Sequence, residues 1–410
     1  MNNSTLFITY DGLLDPLGGS QILPYLYNIA AHPRPLHILS FEKAERFSQG
    51  ADKLRADLNA RGISWTPLSF TTRHGKLGKF WDLLRMYVTA LTLQRKHRFG
   101  IIHCRSYQAM QVGCMLKQLF GVKTLFDMRG LWVDERVDGG IWRSEKPVDH
   151  LAYKTYKIIE RNLLSCATYV IALTERVIPE LHRLSPSMAA PVAVIPCCAD
   201  FDHFAVSSES EKAQTRAAVG IPSGARVISY LGSLGTWYML DDMLRLFAEA
   251  HQKWGNVHLL LITRDWKPEH EALIMSMGLA SLRDQIHIQP ATRTEVPGLL
   301  GCSDVMLSFI KPAYSKIASS PTKLAEAFAV GVPAISNKGI GDVDELTKRL
   351  DAGAIVDLNN TQSVTDIVNR LDDIAAKGGE DLRQRSRPLL GLEVATDTYR
   401  RVYQDLEFTE

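Results

Sequence analysis

The chain alternates short apolar runs with longer segments in which apolar residues recur every three or four positions. Short apolar runs are typical of buried strands, and the longer pattern is typical of helices such as the one predicted over 80–97. Strands are predicted at 6–10, 36–41, 101–104, 124–126, 169–173 and 192–195, and then at 227–231, 257–263, 286–289, 305–309 and 333–336. Strands separated by helices predict parallel sheets built from βαβ units.

The predicted strands form two cycles, and each cycle opens with a strand followed by glycines. Gly18 and Gly19 form a predicted turn after the first strand, with a helix from about Gln21, and a glycine loop at 232–235 opens the second cycle. Two such cycles predict an α/β chain with two Rossmann-like domains. Because ligands bind beyond the carboxyl ends of parallel strands, the two sheets are expected to face each other across a ligand-binding cleft.

Composition excludes several classes of protein. Lys and Arg number 47 against 45 Asp and Glu, so the nearly neutral chain has no overall attraction for nucleic acid. The six cysteines show no metal-ligand spacing, and we expect reduced thiols in a cytoplasmic protein. Neither a signal peptide nor a run of about 20 apolar residues is evident, so we expect a soluble or peripheral protein.

The stretch 318–346 holds the most informative local pattern. Ser320 is suited to the N-cap of a helix and Pro321 to its first position. The free amides at such a helix start, followed by Lys323, predict a site for an anion such as a diphosphate. One turn later, Glu326 offers two oxygens to the neighbouring hydroxyls of a ribose. The alternative is an ordinary amphipathic helix with Lys323 and Glu326 as a surface ion pair.

This segment resembles the nucleotide-sugar site of retaining GT-B glycosyltransferases of family 4, the group 1 glycosyltransferases. Members of that family carry two Glu separated by seven residues, the second of which binds the donor ribose. Glu326 and the Ala-Phe-Ala-Val-Gly-Val-Pro that follows match the second Glu, whereas Ala318 stands where the first is expected. The helix start Ser-Ser-Pro-Thr-Lys-Leu is similar to that of one subgroup, so we interpret Ala318 as divergence within the family.

The resemblance implies the GT-B fold and distinct roles for its two domains. Residues 1–198 are expected to form the acceptor-side domain, and 199–390 the nucleotide-sugar-binding domain. The helix within 391–410 is expected to return to the first domain. The stretch 196–202, Pro-Cys-Cys-Ala-Asp-Phe-Asp, resembles the interdomain linker of the family, with two cysteines in place of Asn-Gly.

The resemblance also implies a set of donor-binding residues. Relatives place a glycine pair beside the donor phosphates, and they commonly hold the pyrophosphate with an Arg and a Lys after the second glycine loop. This chain lacks that basic pair, so another cation has to neutralise the phosphates, and we rank Lys323, Arg264 and Arg129 in that order. The predicted donor-binding residues are Gly18, Gly19, Gly232, Ser233, Gly235, Arg264, Ser320, Pro321, Thr322 and Glu326.

A dense cluster of charged residues follows the strand predicted at 124–126. Asp127 is predicted to orient sugar hydroxyls and Arg129 to face phosphate, and with Lys323 they are the predicted catalytic residues. The alternative is an internal Asp127–Arg129 ion pair that braces the loop. His103 is a weaker candidate, because a lone His is more often structural than catalytic.

The predicted chemistry follows from the donor. Cleavage of the anomeric bond builds charge on the leaving diphosphate, which helix amides and Lys323 would stabilise. The departing phosphate would take the acceptor proton on the same face, and the resemblance implies retention. We expect a hexose to be moved to a saccharide or lipid-linked saccharide, in polysaccharide or glycoconjugate biosynthesis, without metal or cofactor. Two alternatives stay open, a nucleotide-sugar 2-epimerase of similar fold and a catalytically silent sugar-nucleotide-binding subunit.

The segment 73–98 carries a local excess of positive charge. Seven basic residues accompany a single acid, Asp82, and three aromatic residues are interleaved. A basic helix with aromatic residues suits the surface of an anionic membrane, which would favour a lipid-linked acceptor. The alternative is a solvated helix face with Trp81 and Leu84 packed inward. Nucleic acid is not expected as a partner, because no recognised binding module accompanies the charges.

Overall fold

The computed structural model describes residues 4–30, 35–71, 75–143 and 145–408. The chain divides into two compact units. One consists of Met1–Pro196 together with Leu392–Glu410, and the other of Cys197–Gly391. Each unit is built on one parallel sheet that is covered by helices.

The first unit contains a seven-stranded sheet. Its strands are β1 Thr5–Thr9, β2 Leu36–Glu42, β3 Ile63–Ser69, β4 Ile101–Arg105, β5 Lys123–Asp127, β6 Tyr169–Ala172 and β7 Val192–Val194. They are parallel and lie in the order β3-β2-β1-β4-β5-β6-β7. The strand order therefore reverses between β1 and β4, and Arg105 at the end of β4 pairs with both Thr9 and Asp127.

Helices cover both faces of this sheet. They are α1 Pro16–Gln21, α2 Leu23–Ala30, α3 Ala44–Asn59, α4 Gly75–His97, α5 Ser106–Phe120, α6 Trp132–Asp138, α7 Pro147–Cys166 and α8 Ile178–Leu184. α5 packs between α4 and α7. Right-handed crossovers place these three helices on one face and α2 and α3 on the other. Strands between two helical layers are buried along their whole length, as β1 and β2 are.

The second unit repeats this plan with six parallel strands. These are β8 Arg226–Leu231, β9 Val257–Ile262, β10 Ile286–Gln289, β11 Val305–Ser308, β12 Ala334–Asn337 and β13 Gly353–Val356. They lie in the order β10-β9-β8-β11-β12-β13, so the order reverses between β8 and β11. One apolar core lies on each face, with Phe328 in one core and Phe247 in the other.

The helices of the second unit connect its strands, with one helix before β8 and three after β13. They are α9 Glu209–Ala218, α10 Leu240–Trp254, α11 Pro268–Ser276, α12 Val296–Gly301, α13 Thr322–Ala329, α14 Val343–Leu350, α15 Thr361–Asn369, α16 Leu371–Ala375 and α17 Glu380–Leu390. A 3-10 turn, Tyr314–Ala318, precedes α13. The next helix, α18 Leu392–Phe408, belongs to the first unit, where it packs on α2.

The predicted α/β class with two parallel sheets is confirmed, and each of the eleven predicted strands occurs within one residue of its expected bounds. The strands β3 and β13 were not predicted. Both lie at a sheet edge. β3 is only partly buried and carries Pro67, which an edge strand tolerates because one of its sides forms no ladder. β13 is four residues long and begins with a glycine.

The turn predicted at Gly18 and Gly19 is wrong. Both residues lie inside α1, which begins at Pro16 rather than near Gln21. A Cβ on Gly18 would lie 2.3 Å from the carbonyl oxygen of Gly12, whereas a Cβ on Gly19 would meet nothing within 4 Å. Gly18 is therefore required by the close packing of α1 on the loop after β1.

Replacement of Gly18 by Ala is expected to lower the free energy of unfolding by about 1–3 kcal/mol, because the new methyl group overlaps backbone that cannot move aside cheaply. Gly19→Ala is the matched control in the same helix, and we expect it to leave stability unchanged or to raise it by about 0.5–1 kcal/mol. Chemical denaturation of both variants measures the difference. Equal stability of the two variants would contradict the packing role of Gly18.

Candidate active site

The strand order of the second unit reverses between β8 and β11, and ligands of such sheets bind beyond the carboxyl ends of the strands at that point. The loop 232–235 follows β8, and the 3-10 turn with α13 follows β11. Two segments that are distant in sequence therefore meet at the same edge of the sheet. Both were predicted to bind the donor.

Lys323, in the first turn of α13, is the central residue of this edge. Its side chain is buried, and its Nζ lies 4.0 Å from the ring centroid of Tyr230 and 4.2 Å from that of Tyr238. Among the residues that the structure describes, Nζ has no hydrogen-bond partner. Burial lowers the pKa of Lys323 to about 7, although Glu326 acts to raise it. Among the described residues, the direct contacts of the ammonium are thus with aromatic faces.

Gly232 provides the space for this ammonium. Its φ of 128° is a conformation that favours glycine, and a Cβ there would lie 3.2 Å from the Lys323 Nζ. Tyr230 donates a hydrogen bond from its hydroxyl to the Ser233 carbonyl oxygen, which fixes the loop above the lysine. Ser233 and Gly235 are exposed. The loop therefore presents backbone and a hydroxyl next to a buried cation.

Glu326 lies one turn after Lys323 and is partly exposed. Burial raises its pKa to about 7, while Arg293 and Lys323 act to lower it. The two residues form no ion pair within the described part of the chain, and Lys323 is buried rather than on the surface. The surface ion pair that was the alternative interpretation is therefore wrong. Two oppositely charged groups, each with a pKa near 7, lie on one helical turn instead.

The predicted N-cap role of Ser320 is wrong. α13 begins at Thr322, Pro321 occupies the N-cap position, and no side chain caps the first turn. The Ser320 hydroxyl instead accepts a hydrogen bond from the Cys197 backbone N–H at 3.0 Å. A first turn without a side-chain cap leaves its amides to an incoming anion.

Arg264, the second-ranked cation, lies just beyond β9 and is exposed. Hydrogen bonds from Thr292 are the main cause that lowers the pKa of Glu295, and the charge of Arg264 lowers it further. The structure thus brings together three predicted parts of the site: Lys323, Glu326 and the 232–235 loop. Arg264 lies instead at the end of the neighbouring strand β9.

In the first unit, Asp127 is buried at the end of β5 and bonded on both carboxylate oxygens. Arg105 Nη1 donates to Oδ2 at 3.3 Å and Arg129 Nη1 to Oδ1 at 3.4 Å, while the Tyr399 hydroxyl of α18 also donates to Oδ2 at 3.1 Å. Burial alone would raise the pKa of Asp127, but Arg129, His103 and Arg105 hold it well below its usual range. The Asp127–Arg129 ion pair of the alternative interpretation is present, and a contact of either residue with substrate stays a prediction.

The first unit also contains three other candidate residues, His103, Gly18 and Gly19. The buried His103 Nδ1 lies 2.7 Å from the Tyr403 hydroxyl, and burial lowers the pKa of the imidazole, although Asp127 acts to raise it. Gly18 is buried in α1 beside the end of β1, and Gly19 next to it is partly exposed.

Several residues of these clusters were not found from the sequence: Tyr230, Tyr238, Arg293, Arg105 and Tyr399. Tyr230 and Tyr238 are aromatic residues on either side of the glycine loop 232–235. Their position next to this loop was the only local pattern that could have indicated them. Arg105 and Tyr399 are distant in sequence from Asp127, which they contact, and Arg293 is distant from Glu326, whose pKa it acts to lower, so no local pattern indicated these three. Within the described ranges, no group of three or more His, Cys, Asp or Glu side chains is placed to hold a metal ion.

Two family models match the chain. One, described as a glycosyl transferase 4-like domain, matches residues 37–198, and the other, described as glycosyl transferases group 1, matches residues 211–386. The D-inositol 3-phosphate glycosyltransferase of Corynebacterium urealyticum is 22% identical over 298 residues, covering 69% of this chain and 66% of that protein. D-inositol 3-phosphate glycosyltransferase 2 of Catenulispora acidiphila is 24% identical over 217 residues, covering 52% of this chain and 45% of that protein. The chain thus spans less than two thirds of these relatives.

Solved structures with the same fold extend over nearly the whole chain. Sucrose-phosphate synthase from Thermosynechococcus elongatus has a TM-score of 0.73 at 15% identity and covers 99% of each chain. HepE from Anabaena, in complex with UDP and glucose, has a TM-score of 0.70 at 16% identity and covers 98% of this chain and 99% of that one. Since the two family matches together span most of the residues, the chain belongs to the group 1 glycosyltransferases of GT-B fold.

Proposed function

We propose that the chain transfers a hexose from a nucleotide-diphosphate sugar to a saccharide or lipid-linked saccharide acceptor, with retention and without metal or cofactor. The observation that carries the proposal is the buried Lys323 ammonium, which has no hydrogen-bond partner among the described residues and lies beneath a glycine loop. Family membership supplies the reaction class, and the site supplies the charge that the leaving group requires. HepE, a structural neighbour, binds UDP and glucose, so UDP-glucose is the first donor to test.

A diphosphate would accept the hydrogen bonds that the Lys323 ammonium does not make to the described residues. Burying an ammonium costs several kcal/mol, and contact with an aromatic face returns only about 2 kcal/mol each. The pKa of Lys323 at about 7 reflects that deficit. An anion at the loop would restore the charged form, and its stabilisation would increase as negative charge develops on the departing phosphate. Lys323 would therefore assist bond cleavage as well as binding.

Glu326 is proposed to hold the donor ribose. Its carboxylate lies one helical turn beyond Lys323 and is partly exposed, which suits two hydroxyls that lie beside a diphosphate. Hydrogen bonds to the charged carboxylate would offset the burial that raises its pKa. The exposed Ser233 and Gly235 and the first-turn amides of α13 are proposed to contact the phosphates.

Retention is proposed from the family resemblance, with the departing phosphate taking the acceptor proton on the same face. Asp127 and Arg129 are proposed to serve the acceptor side from the first unit. The relatives named as D-inositol 3-phosphate glycosyltransferases favour a polar, hydroxyl-rich acceptor. We place the reaction in the cytoplasm or at the inner membrane surface, where a lipid-linked saccharide would be available. Donor binding without turnover on any acceptor would instead favour the silent subunit that Ala318 suggests.

Lys323→Met removes the ammonium and keeps an extended side chain between the two rings. We expect the transfer rate from UDP-glucose, or from whichever nucleotide sugar gives turnover, to fall about 10²–10³-fold, as on loss of a group that stabilises developing charge. The melting temperature should not fall, because a buried unpaired charge is removed. Lys338→Met, which breaks the surface pair with Asp357, is the control and should retain activity.

The pH dependence of donor binding tests the same group. Lys323 is charged below its pKa of about 7, and Glu326 is ionised above its pKa of about 7. Binding should therefore weaken on both sides of neutrality, with Lys323→Arg abolishing the alkaline decline and Glu326→Gln the acid decline. Calorimetric titrations across pH measure both declines. An alkaline decline that persists in Lys323→Arg would remove Lys323 from the phosphate site.

Glu326→Ala is expected to weaken donor binding at least about tenfold, because two hydrogen bonds to a charged group are lost at roughly 1.5–3 kcal/mol each. Glu326→Gln retains one acceptor oxygen and should lie between the parent and Ala. Unfolding free energy should not fall at neutral pH, since a carboxylate whose pKa is raised in the folded state opposes folding once it ionises. Equal dissociation constants for all three proteins would exclude Glu326 from the site.

Transfer is expected to survive chelation, because Lys323 and helix amides are proposed to neutralise the diphosphate. Initial rates with and without EDTA, after dialysis against the chelator, measure this directly. Loss of activity in EDTA with recovery on addition of Mg²⁺ or Mn²⁺ would overturn the assignment of phosphate neutralisation to Lys323.

A further inference from the structure

α4 exposes a row of large apolar side chains. Five of them are 41–74% exposed: Leu77, Phe80, Trp81, Leu84 and Val88. The expectation that Trp81 and Leu84 pack inward is therefore wrong, since these two are 53% and 41% exposed. The predicted charge excess also included Arg73, which lies outside the described residues.

These side chains form one face of the helix. They follow one another at intervals of three, one, three and four residues, which keeps them on one side of an α-helix over about 16 Å. The opposite side of α4 is buried and includes Asp82, Met86 and Ala90. Arg95 stands eighteen residues after Leu77, which is five full turns, so it continues the same row. We call Leu77, Phe80, Trp81, Leu84 and Val88 the apolar row.

The exposed part of α4 is also free of negative charge. Its single acid, Asp82, is 1% exposed and accepts hydrogen bonds from the Tyr10 hydroxyl at 3.0 Å and the Thr71 hydroxyl at 2.6 Å. Among the described side chains, the exposed Lys and Arg residues are Lys79, Arg95 and Lys96 on the helix and Arg98 directly after it. The acid supports the fold, where it also lies 3.7 Å from Arg85 Nη1. Arg95 continues the apolar row, and Lys96 and Arg98 are exposed next to it at the end of the helix.

A second exposed apolar row lies on α7, in the same helical layer. Val148, Leu151 and Ile158 are 69%, 67% and 62% exposed, and α5 packs between this helix and α4. The outer side of the layer thus carries apolar side chains on two helices. Within the described residues no helix is long and apolar enough to cross a membrane.

We propose that this outer face docks on a bilayer that contains anionic lipid. The apolar row would enter the headgroup region, and Arg95, Lys96 and Arg98 would bind lipid phosphates, as amphipathic interfacial helices with cationic flanks do. A second copy of the chain suits the face less well, because the described part of α4 offers no exposed acid to pair with these cations. The inference does not depend on the proposed transfer reaction, since lipid binding is measured without donor.

The position of α4 gives the docking a consequence for the acceptor. α4 follows β3, so its first turns, which carry the apolar row, lie near the carboxyl edge of the first sheet. Ligands of parallel sheets bind at that edge. A protein held by this face keeps the binding edge of its first unit near the lipid surface. On the proposed function, this arrangement favours a lipid-linked acceptor.

Flotation with vesicles of phosphatidylcholine, alone or mixed with phosphatidylglycerol, tests the proposal. The parent should float with the mixed vesicles and not with phosphatidylcholine alone. Arg95→Glu/Lys96→Glu/Arg98→Glu should weaken binding at least about a hundredfold, because each cation contributes roughly fivefold to lipid affinity. Phe80→Ser/Trp81→Ser should also release the protein. Lys348→Glu/Arg349→Glu and Met275→Ser change exposed residues of the second unit and should leave flotation unchanged.

Two further measurements separate docking from other causes. A blue shift of tryptophan emission on vesicle addition should be present in the parent and reduced in Trp81→Phe, which places Trp81 itself in the lipid. Transfer to a water-soluble acceptor should be unchanged in the charge-reversal variant. Absence of parent flotation, equal flotation of all variants, or self-association in sedimentation that the Phe80→Ser/Trp81→Ser variant abolishes would each overturn the proposal.

Discussion

The candidate site of the second unit is built around one ammonium group that the described chain leaves without a hydrogen bond. Lys323 is buried between Tyr230 and Tyr238, and Gly232 leaves the space its Nζ occupies. Aromatic faces attract a cation but supply no acceptor, so they hold the group in place without satisfying it. An acid bonded to Nζ would give a stable ion pair and would compete with any incoming anion. The nearest carboxylate on the helix, Glu326, lowers that cost only through space.

In the first unit, the charged groups around Asp127 are bonded to one another, in contrast to the Lys323 ammonium. Asp127 receives hydrogen bonds from Arg105, Arg129 and Tyr399, and the two arginines keep its pKa low. Breaking such a buried network costs about 3–5 kcal/mol. Since Tyr399 belongs to α18, the network also fixes that helix to the end of β5. The structural role of Asp127 is therefore strong even before any contact with a sugar is considered.

The sequence predicted the strands and the two-sheet α/β class well, because apolar runs buried between helical layers are visible without tertiary information. It failed where long-range packing decides the outcome. Gly18 and Gly19 look alike in the sequence, yet only Gly18 faces the backbone of Gly12. Lys323 and Glu326 have the spacing of a surface pair, and burial by Tyr230 and Tyr238 is invisible from that spacing. The edge strand β3 alternates in burial and contains Pro67, so it lacks the continuous apolar run that marks its neighbours.

Lys323 and the outer face of α4 have one feature in common, which on the two proposals is how a nearly neutral chain would attract anions. With 47 basic and 45 acidic residues, overall charge provides no attraction. Attraction for anions then has to be local, at cations that are not paired with an acidic side chain. Asp82 is buried and bonded to Tyr10 and Thr71, and the Lys323 ammonium forms no ion pair among the described residues, so neither set of cations is neutralised by a bonded exposed acid. On the two proposals, both positions would bind phosphate, as a diphosphate at Lys323 and as lipid headgroups at α4.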